Sequence, residues 1–230
     1  MDQKKTIVDH FSEELTNQEQ PIDSTKEFKI SLVLLPNVVL FPGSSLLLTS
    51  FDGLDLNKLV SSGEKNLAFA PKIELPNGKT KPPKVATLGI LTNVVRLQNG
   101  DMGAIVKGAE RLEVRSISPT KKQPKASVLV RPDPVVDKTS KIWTVCKALK
   151  AMMIKMLKLN PSSDQNMINQ LSQIQDPVLL SDAMAPHLSL SLEEKLQLLS
   201  EFDIDKRVEL SMRFVSREME MLKISSKIQK

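Results

Sequence analysis

Leu34-Leu35-Pro36-Asn37-Val38-Val39-Leu40-Phe41-Pro42-Gly43 is the stretch around which the rest of the chain can be arranged. Pro36 fixes its own φ and pushes Leu35 toward extended geometry, so the chain arrives here as a strand. Val38 and Val39 favour β structure, and Pro42-Gly43 reads as a turn. A strand with a proline near each end cannot donate a full ladder of hydrogen bonds. Its expected place is a sheet edge or a sharp corner, with an ordinary buried hairpin as the alternative.

Composition bounds what can surround this stretch. The chain has 230 residues, room for two modest domains, and 40% of them are hydrophobic. Aromatics make up only 3% and tyrosine is absent, so a core must be built from Leu, Val, Ile and Met. The net charge of +5 is mild, and the basic groups Lys79–Lys84 and Lys121–Lys125 read as solvated loops, which disfavours nucleic acid as a partner. A single cysteine, Cys146, excludes an internal disulfide and is compatible with a reducing compartment. No apolar run of spanning length and no signal-peptide core occur, so a soluble cytoplasmic protein without membrane contact is expected.

Outward from the opening stretch, residues 1–26 are polar and read as a flexible tail. Residues 27–133 are expected to form a domain of about seven short strands. These begin with Phe28–Leu35, Val38–Phe41 and Ser45–Phe51, and continue through Asn66–Ala70 and Val85–Leu97. Met102–Val106, Leu112–Ile117 and Ala126–Val130 follow, with a short helix at Asp55–Ser61. Asn99-Gly100 between two apolar runs is the strongest hairpin signal in the chain. Many closely spaced strands point to an antiparallel barrel or sandwich rather than βαβ units.

Beyond Pro132 and Pro134 the hydrophobic period changes from two to 3.6, and residues 134–202 are expected to form a helical bundle. Ile142, Val145, Leu149, Met152 or Met153, and Met156 share one helical face, and Met167, Ile168, Leu171 and Ile174 mark a second helix. Asp176-Pro177 is a helix start, Ser191–Glu194 fits a capping box, and Asp203 can cap the long helix of residues 203–230. On that helix Val208, Met212, Val215, Met219 and Leu222 follow coiled-coil spacing. A second stripe, Leu210, Phe214, Met221, Ile224 and Ile228, lies beside it. One stripe can pack on preceding helices; two on one helix leave a face for another partner, unless both belong to a single wide core-facing stripe.

Reactive groups are few. Gly78-Lys79-Thr80 resembles the end of a phosphate loop, but Ile73 stands where the earlier glycine belongs and Pro82-Pro83 where a helix should start. The two histidines, His10 and His187, and one cysteine do not make a metal set. No catalytic residue, metal ligand or cofactor site is expected in the chain.

Five segments together resemble the N-terminal domain of Lon ATP-dependent proteases. Leu34–Gly43 is similar to that family's P-L-R-D/N-V-V-V/L-F-P-G segment, and Val106-Lys107-Gly108-Ala109-Glu110-Arg111 to its V-x-G-x-x-R. Asp176–Asp182, His187–Lys195 and Asp203–Arg207 answer its helical motifs in order. Pro36 stands where the family carries arginine, and Ser50-Phe51-Asp52-Gly53 also departs from the pattern.

The resemblance implies an α+β fold, an antiparallel PUA-like β-barrel followed by a helical bundle ending in a long helix. It makes Pro36, Asn37, Phe41, Pro42, Gly43, Gly108 and Arg111 structural signatures. Gly108 would supply a backbone conformation that strains other residues, and Arg111 would hold neighbouring carbonyls or Glu110. It further implies the non-catalytic recognition and assembly region of an ATP-dependent serine endopeptidase. Its partners would be unfolded or damaged proteins, its own ATPase and protease domains, and sister subunits of a hexamer. ATP and Mg would be needed only by the ATPase module, which this chain does not contain. Apolar clients ask for an apolar, adaptable surface, with Phe51, Leu54, Met219 and Met221 as candidate contacts and core packing as the alternative for each. A stand-alone module, RNA-binding through its barrel, is the competing reading.

Overall fold

The computed structural model describes residues 26–50, 54–96, 102–118, 123–159 and 164–228. The first half is built from β1 (Phe28–Pro36), β2 (Ser45–Thr49), α1 (Leu56–Ser61), β3 (Asn66–Lys72), β4 (Val85–Arg96), β5 (Met102–Ser118) and β6 (Lys125–Arg131). These strands form one sheet in the order β2-β5-β4-β3-β1-β6, and β6 pairs again with β5, so the hydrogen-bonded ladder returns to a strand it has already used.

The sheet is mixed, which corrects the all-antiparallel expectation. β1 and β3 run parallel, from Leu32 against Ala68 to Pro36 against Lys72. Between them the chain makes β2 and α1, and such a crossover is what a parallel pair requires. The other pairings are antiparallel. The strands expected at Met102–Val106 and Leu112–Ile117 are one strand of 17 residues. β5 serves three neighbours, taking β2 along Gly103–Lys107, β4 from Met102 to Glu113 and β6 from Arg111 to Ser118, with irregular register against β6 at Val114/Ser116. The Asn99-Gly100 turn lies outside the described residues, although β4 and β5 pair up to Arg96 against Met102.

Val38–Phe41 is not a strand. β1 ends at Pro36, and Asn37 takes a left-handed φ of 55°, which turns the chain out of the sheet at once. The expected sharp corner is there, but the apolar run after it is irregular. Period two then sorts the strands into two cores. Val33, Leu35, Leu67, Phe69, Leu91 and Val106 fill one, and Ile30, Leu32, Ala68, Leu88, Leu112 and Val128 fill the other.

The helices are α2 (Ile142–Leu159), α3 (Gln165–Gln173), α4 (Pro177–Met184), α5 (Leu192–Ser200) and α6 (Ile204–Ile228). The starts of α4, α5 and α6 are legible in the sequence. Asp176 accepts from the amides of Val178 and Leu179 at 2.8 and 3.1 Å, and Ser191 with Glu194 closes the capping box. Asp203 accepts from Asp205 and Lys206 at 3.0 and 3.2 Å. On α2, Cys146 rather than Val145 faces inward, giving a buried stripe of Ile142, Cys146, Leu149, Met153 and Met156.

The long helix resolves its two stripes within the chain. Val208, Leu210, Phe214, Val215 and Met219 are all buried in the helical core, with Met212 and Leu222 packed against it, so both stripes begin as one wide inward face. Farther along, Met221 and Ile224 are exposed. Arg217 on α6 binds both carboxylate oxygens of Glu194, holding α5 against it. That guanidinium, aided by the Ser191 amide, lowers the Glu194 pKa from 4.5 to about 2. A depressed folded-state pKa stabilises above the unfolded value and loses its effect as pH falls through the folded one. The stability difference between wild type and Glu194→Gln is therefore expected to be present at neutral pH and to vanish between pH 4.5 and about 2, as followed by urea unfolding. Salt should shrink it, since Arg217 is well exposed.

Candidate functional site

The irregular loop after β1 is held where the sheet meets the helices. From Leu40 to Ser44 it is held by hydrogen bonds that do not belong to a strand ladder. The Thr87 hydroxyl donates to the Leu40 carbonyl at 2.6 Å, the Ser44 hydroxyl donates to the Phe41 carbonyl at 2.7 Å, and Ser44 Oγ accepts from the Phe41 amide at 3.1 Å. Gly43 donates to the Gly108 carbonyl and Gly108 donates to the Ser44 carbonyl, both at 2.9 Å. The side chains divide between cores. Leu40 enters a sheet core, whereas Phe41, fully buried, enters the helical core beside Val85.

Gly108 is needed for a different reason than its sequence context implied. Its φ is not in the left-handed region; the constraint is space. A Cβ at Gly108 would stand 2.2 Å from the Phe41 carbonyl oxygen and 3.0 Å from its carbon. Because the obstacle is backbone, Gly108→Ala must displace the loop, and a loss of about 1–3 kcal/mol or more is expected in denaturant unfolding.

Arg111, three residues on and fully buried, ties the sheet to two helices, α4 and α5, and to the segment after β6. Its Nε donates to the Leu199 carbonyl at 3.1 Å, and Nη1 donates to Asp133 at 3.1 Å and to Asp182 at 2.9 Å. Nη2 donates to the second Asp182 oxygen. Of the two expected kinds of partner, a carbonyl, that of Leu199, is held; among the described residues Glu110 is not one of its hydrogen-bond partners. Arg207 on α6, equally buried, donates from Nη2 to Asp133 at 2.7 Å, with Nη1 at 3.8 Å from Asp182. Burial pushes the Asp182 carboxyl up from its ordinary range, and the Arg111 guanidinium pulls against that.

The docked loop leaves a groove of about 220 Å³ between itself, the start of β2 and the helices, walled by Val38, Val39, Ser45, Leu46, Pro186 and Lys195. Sites for drug-sized ligands run to roughly 300–1,000 Å³, so this groove suits a side chain better than a nucleotide. Among the described residues, β2 beside it pairs with β5 alone. Its outer face carries Leu47, 57% exposed, opposite Ile105.

The four contact candidates separate. Phe51 lies outside the described residues. Leu54 is packed with Leu56 and Leu59 in a sheet core, and Met219 lies in the helical core, so both side chains are occupied in packing. Met221 is 61% exposed. Leu47 and Lys195 were not singled out from sequence, because Ser45–Thr49 reads as three equivalent leucines and only pairing decides which faces outward.

The reactive-group inventory is short. Burial raises the Cys146 thiol to about 11, far from the thiolate a nucleophile needs, and lowers His187 from its usual value. Among the described residues, no three His, Cys, Asp or Glu side chains are grouped to hold a metal, and no helix is long and apolar enough to cross a membrane.

The fold is thus α+β, a mixed six-stranded sheet with helices, and it presents a strand edge beside a small groove. Comparison with known proteins makes the class specific. The family model for the ATP-dependent protease La (LON) substrate-binding domain matches residues 29–217, and the chain belongs to that family. A Lon protease of Roseiflexus castenholzii is 26% identical over 209 residues, covering 87% of this chain and 25% of the relative. A Lon protease of Rhizobium meliloti is 23% identical over 221 residues, covering 93% and 27%. The chain therefore spans about a quarter of the length of these relatives. Among solved structures, the N-terminal domain of Mycobacterium avium complex Lon protease superposes with a TM-score of 0.66 at 20% identity, covering 82% of this chain and 98% of that one. A Lon N-terminal domain protein from Xanthomonas campestris gives 0.55 at 17%, covering 79% and 95%.

Proposed function

We propose that this chain is the non-catalytic recognition region of a Lon-type ATP-dependent protease, binding unfolded or damaged polypeptides for degradation. The observation that carries the reading is the substrate-binding family match over residues 29–217. The geometry supports it through the open β2 edge, the small apolar groove, and exposed Met221 and Ile224 on α6. The closed pairing circuit of β5, β4, β3, β1 and β6 supports naming the sheet a PUA-like barrel, with the helices as its companion bundle. In this reading ATP, Mg and peptide-bond chemistry belong to partner modules, which assemble with this region and its sister copies in the cytoplasm. Phe51 and Met221 remain the proposed client contacts. The RNA-binding alternative loses support because Phe41 and Phe69 are buried, leaving the sheet without those stacking platforms.

The test is capture of reduced, denatured α-lactalbumin against the native protein by the immobilised chain. Selective retention of the denatured form is expected. Equal retention of both, or of neither, would overturn the reading.

A further inference from the structure

The strand edge next to the groove has a chemistry of its own. β2 pairs with β5 from Ser45 against Lys107 to Thr49 against Gly103, and has no neighbour on its other side among the described residues. Gly108 donates to the Ser44 carbonyl, and antiparallel pairs alternate between bonded and non-bonded. Leu46 and Leu48 therefore bond to β5, and Ser45, Leu47 and Thr49 turn their N–H and C=O groups toward the open side. The five residues Ser45–Thr49 include no proline and no charge, two of the devices by which natural sheets close an edge.

The surroundings select what could pair there. Exposed Leu47 and its cross-strand neighbour Ile105 offer apolar contact along the strand, and the groove offers room for a further side chain at the Ser45 end. Two cations stand at that same end. Lys107 is exposed opposite Ser45, and Lys195 lines the groove; neither forms a salt bridge among the described residues. An antiparallel newcomer would run opposite to β2 and so bring its C-terminal side to these lysines.

We propose that the free edge of β2 takes an extended client segment as an added antiparallel strand, its apolar side chains against Leu47 and in the groove, its C-terminal acidic residues against Lys107 and Lys195. This rests on the recognition reading above and names the class of segment recognised. Backbone hydrogen bonds would supply sequence-tolerant affinity, and the groove and lysines a preference within it.

The test uses the full chain and a fluorescein-labelled peptide of alternating Leu and Ser ending in two Glu, read by anisotropy. Two N-methylated versions carry methyls on odd or on even backbone amides. One set should weaken binding roughly tenfold or more while the other leaves it near the parent, since only alternate amides face β2. A Lys107→Glu/Lys195→Glu variant should lose the Glu-ended peptide and gain a Lys-ended one. Equal effects of the two methyl sets, or no charge preference in either protein, would overturn the proposal. Wild-type capture of denatured α-lactalbumin separates the failures: retained, it leaves the recognition reading standing without the β2 edge; lost, it removes both.

Discussion

Replacing Arg111 with methionine is expected to destabilise the protein by about 3–5 kcal/mol, because breaking a buried ion pair leaves the other charge uncompensated. Asp182 is nearly fully buried and takes both of its strong bonds from Arg111. Without that guanidinium only Arg207 Nη1, at 3.8 Å, is near. The effect would be read as a shift in the urea midpoint at unchanged slope. Two comparisons separate lost pairing from lost packing. Arg111→Met with Asp182→Leu should recover much of the loss, since well-packed apolar replacements of a buried pair are often neutral or better. Arg207→Met should cost less than Arg111→Met, because Arg207 leaves Nε and Nη1 without hydrogen bonds among the described residues. If Arg207→Met proved the costlier, the network would be centred on Asp133 instead.

Phe41→Ala is expected to cost a similar amount, about 3–5 kcal/mol, the usual range for removing a buried aromatic ring from a core. Phe41 is fully buried in the helical core, and Val39 of the same loop is only partly buried against it. Its removal would also slacken the groove wall, so Phe41→Leu, which keeps most of the apolar volume, should fall well between. Gly108→Ala attacks the same contact from the opposite side. The two substitutions should therefore be non-additive, since an undocked loop has already lost Phe41's packing. Additive losses would place Phe41's contribution elsewhere.

Much of the helical half could be read locally. Asp176, Ser191 and Asp203 cap helices through bonds to residues two or three positions away, so composition and spacing suffice to find them. The short helix after Asp55 is equally local, with Asp55 accepting from the Lys58 amide. The face of α2 was misassigned by one residue because Val145 and Cys146 are both apolar, and packing alone chose Cys146.

The sheet was harder. A lysine and a glycine at 107 and 108 look like a break between strands, yet β5 runs through them. Val38–Phe41 looks like a strand, yet its residues serve two cores from an irregular loop. The resemblance identified Gly108 and Arg111 as signatures without the right reasons. Gly108's reason is a carbonyl more than sixty positions earlier in the chain, and Arg111's partners lie 71 and 88 residues later. No local pattern records such distances.

By itself, then, the sequence determined the family, the order of sheet before helices, and the capped helix starts, because each is written in neighbouring residues. Leu34–Gly43 was legible as a proline-bounded corner. Only the tertiary structure decided that this corner wedges Phe41 into the helical core, that β1 and β3 run parallel, and that β2 keeps an open edge. Those outcomes follow from which backbone groups find partners across the chain, and from where a glycine lets two backbones touch.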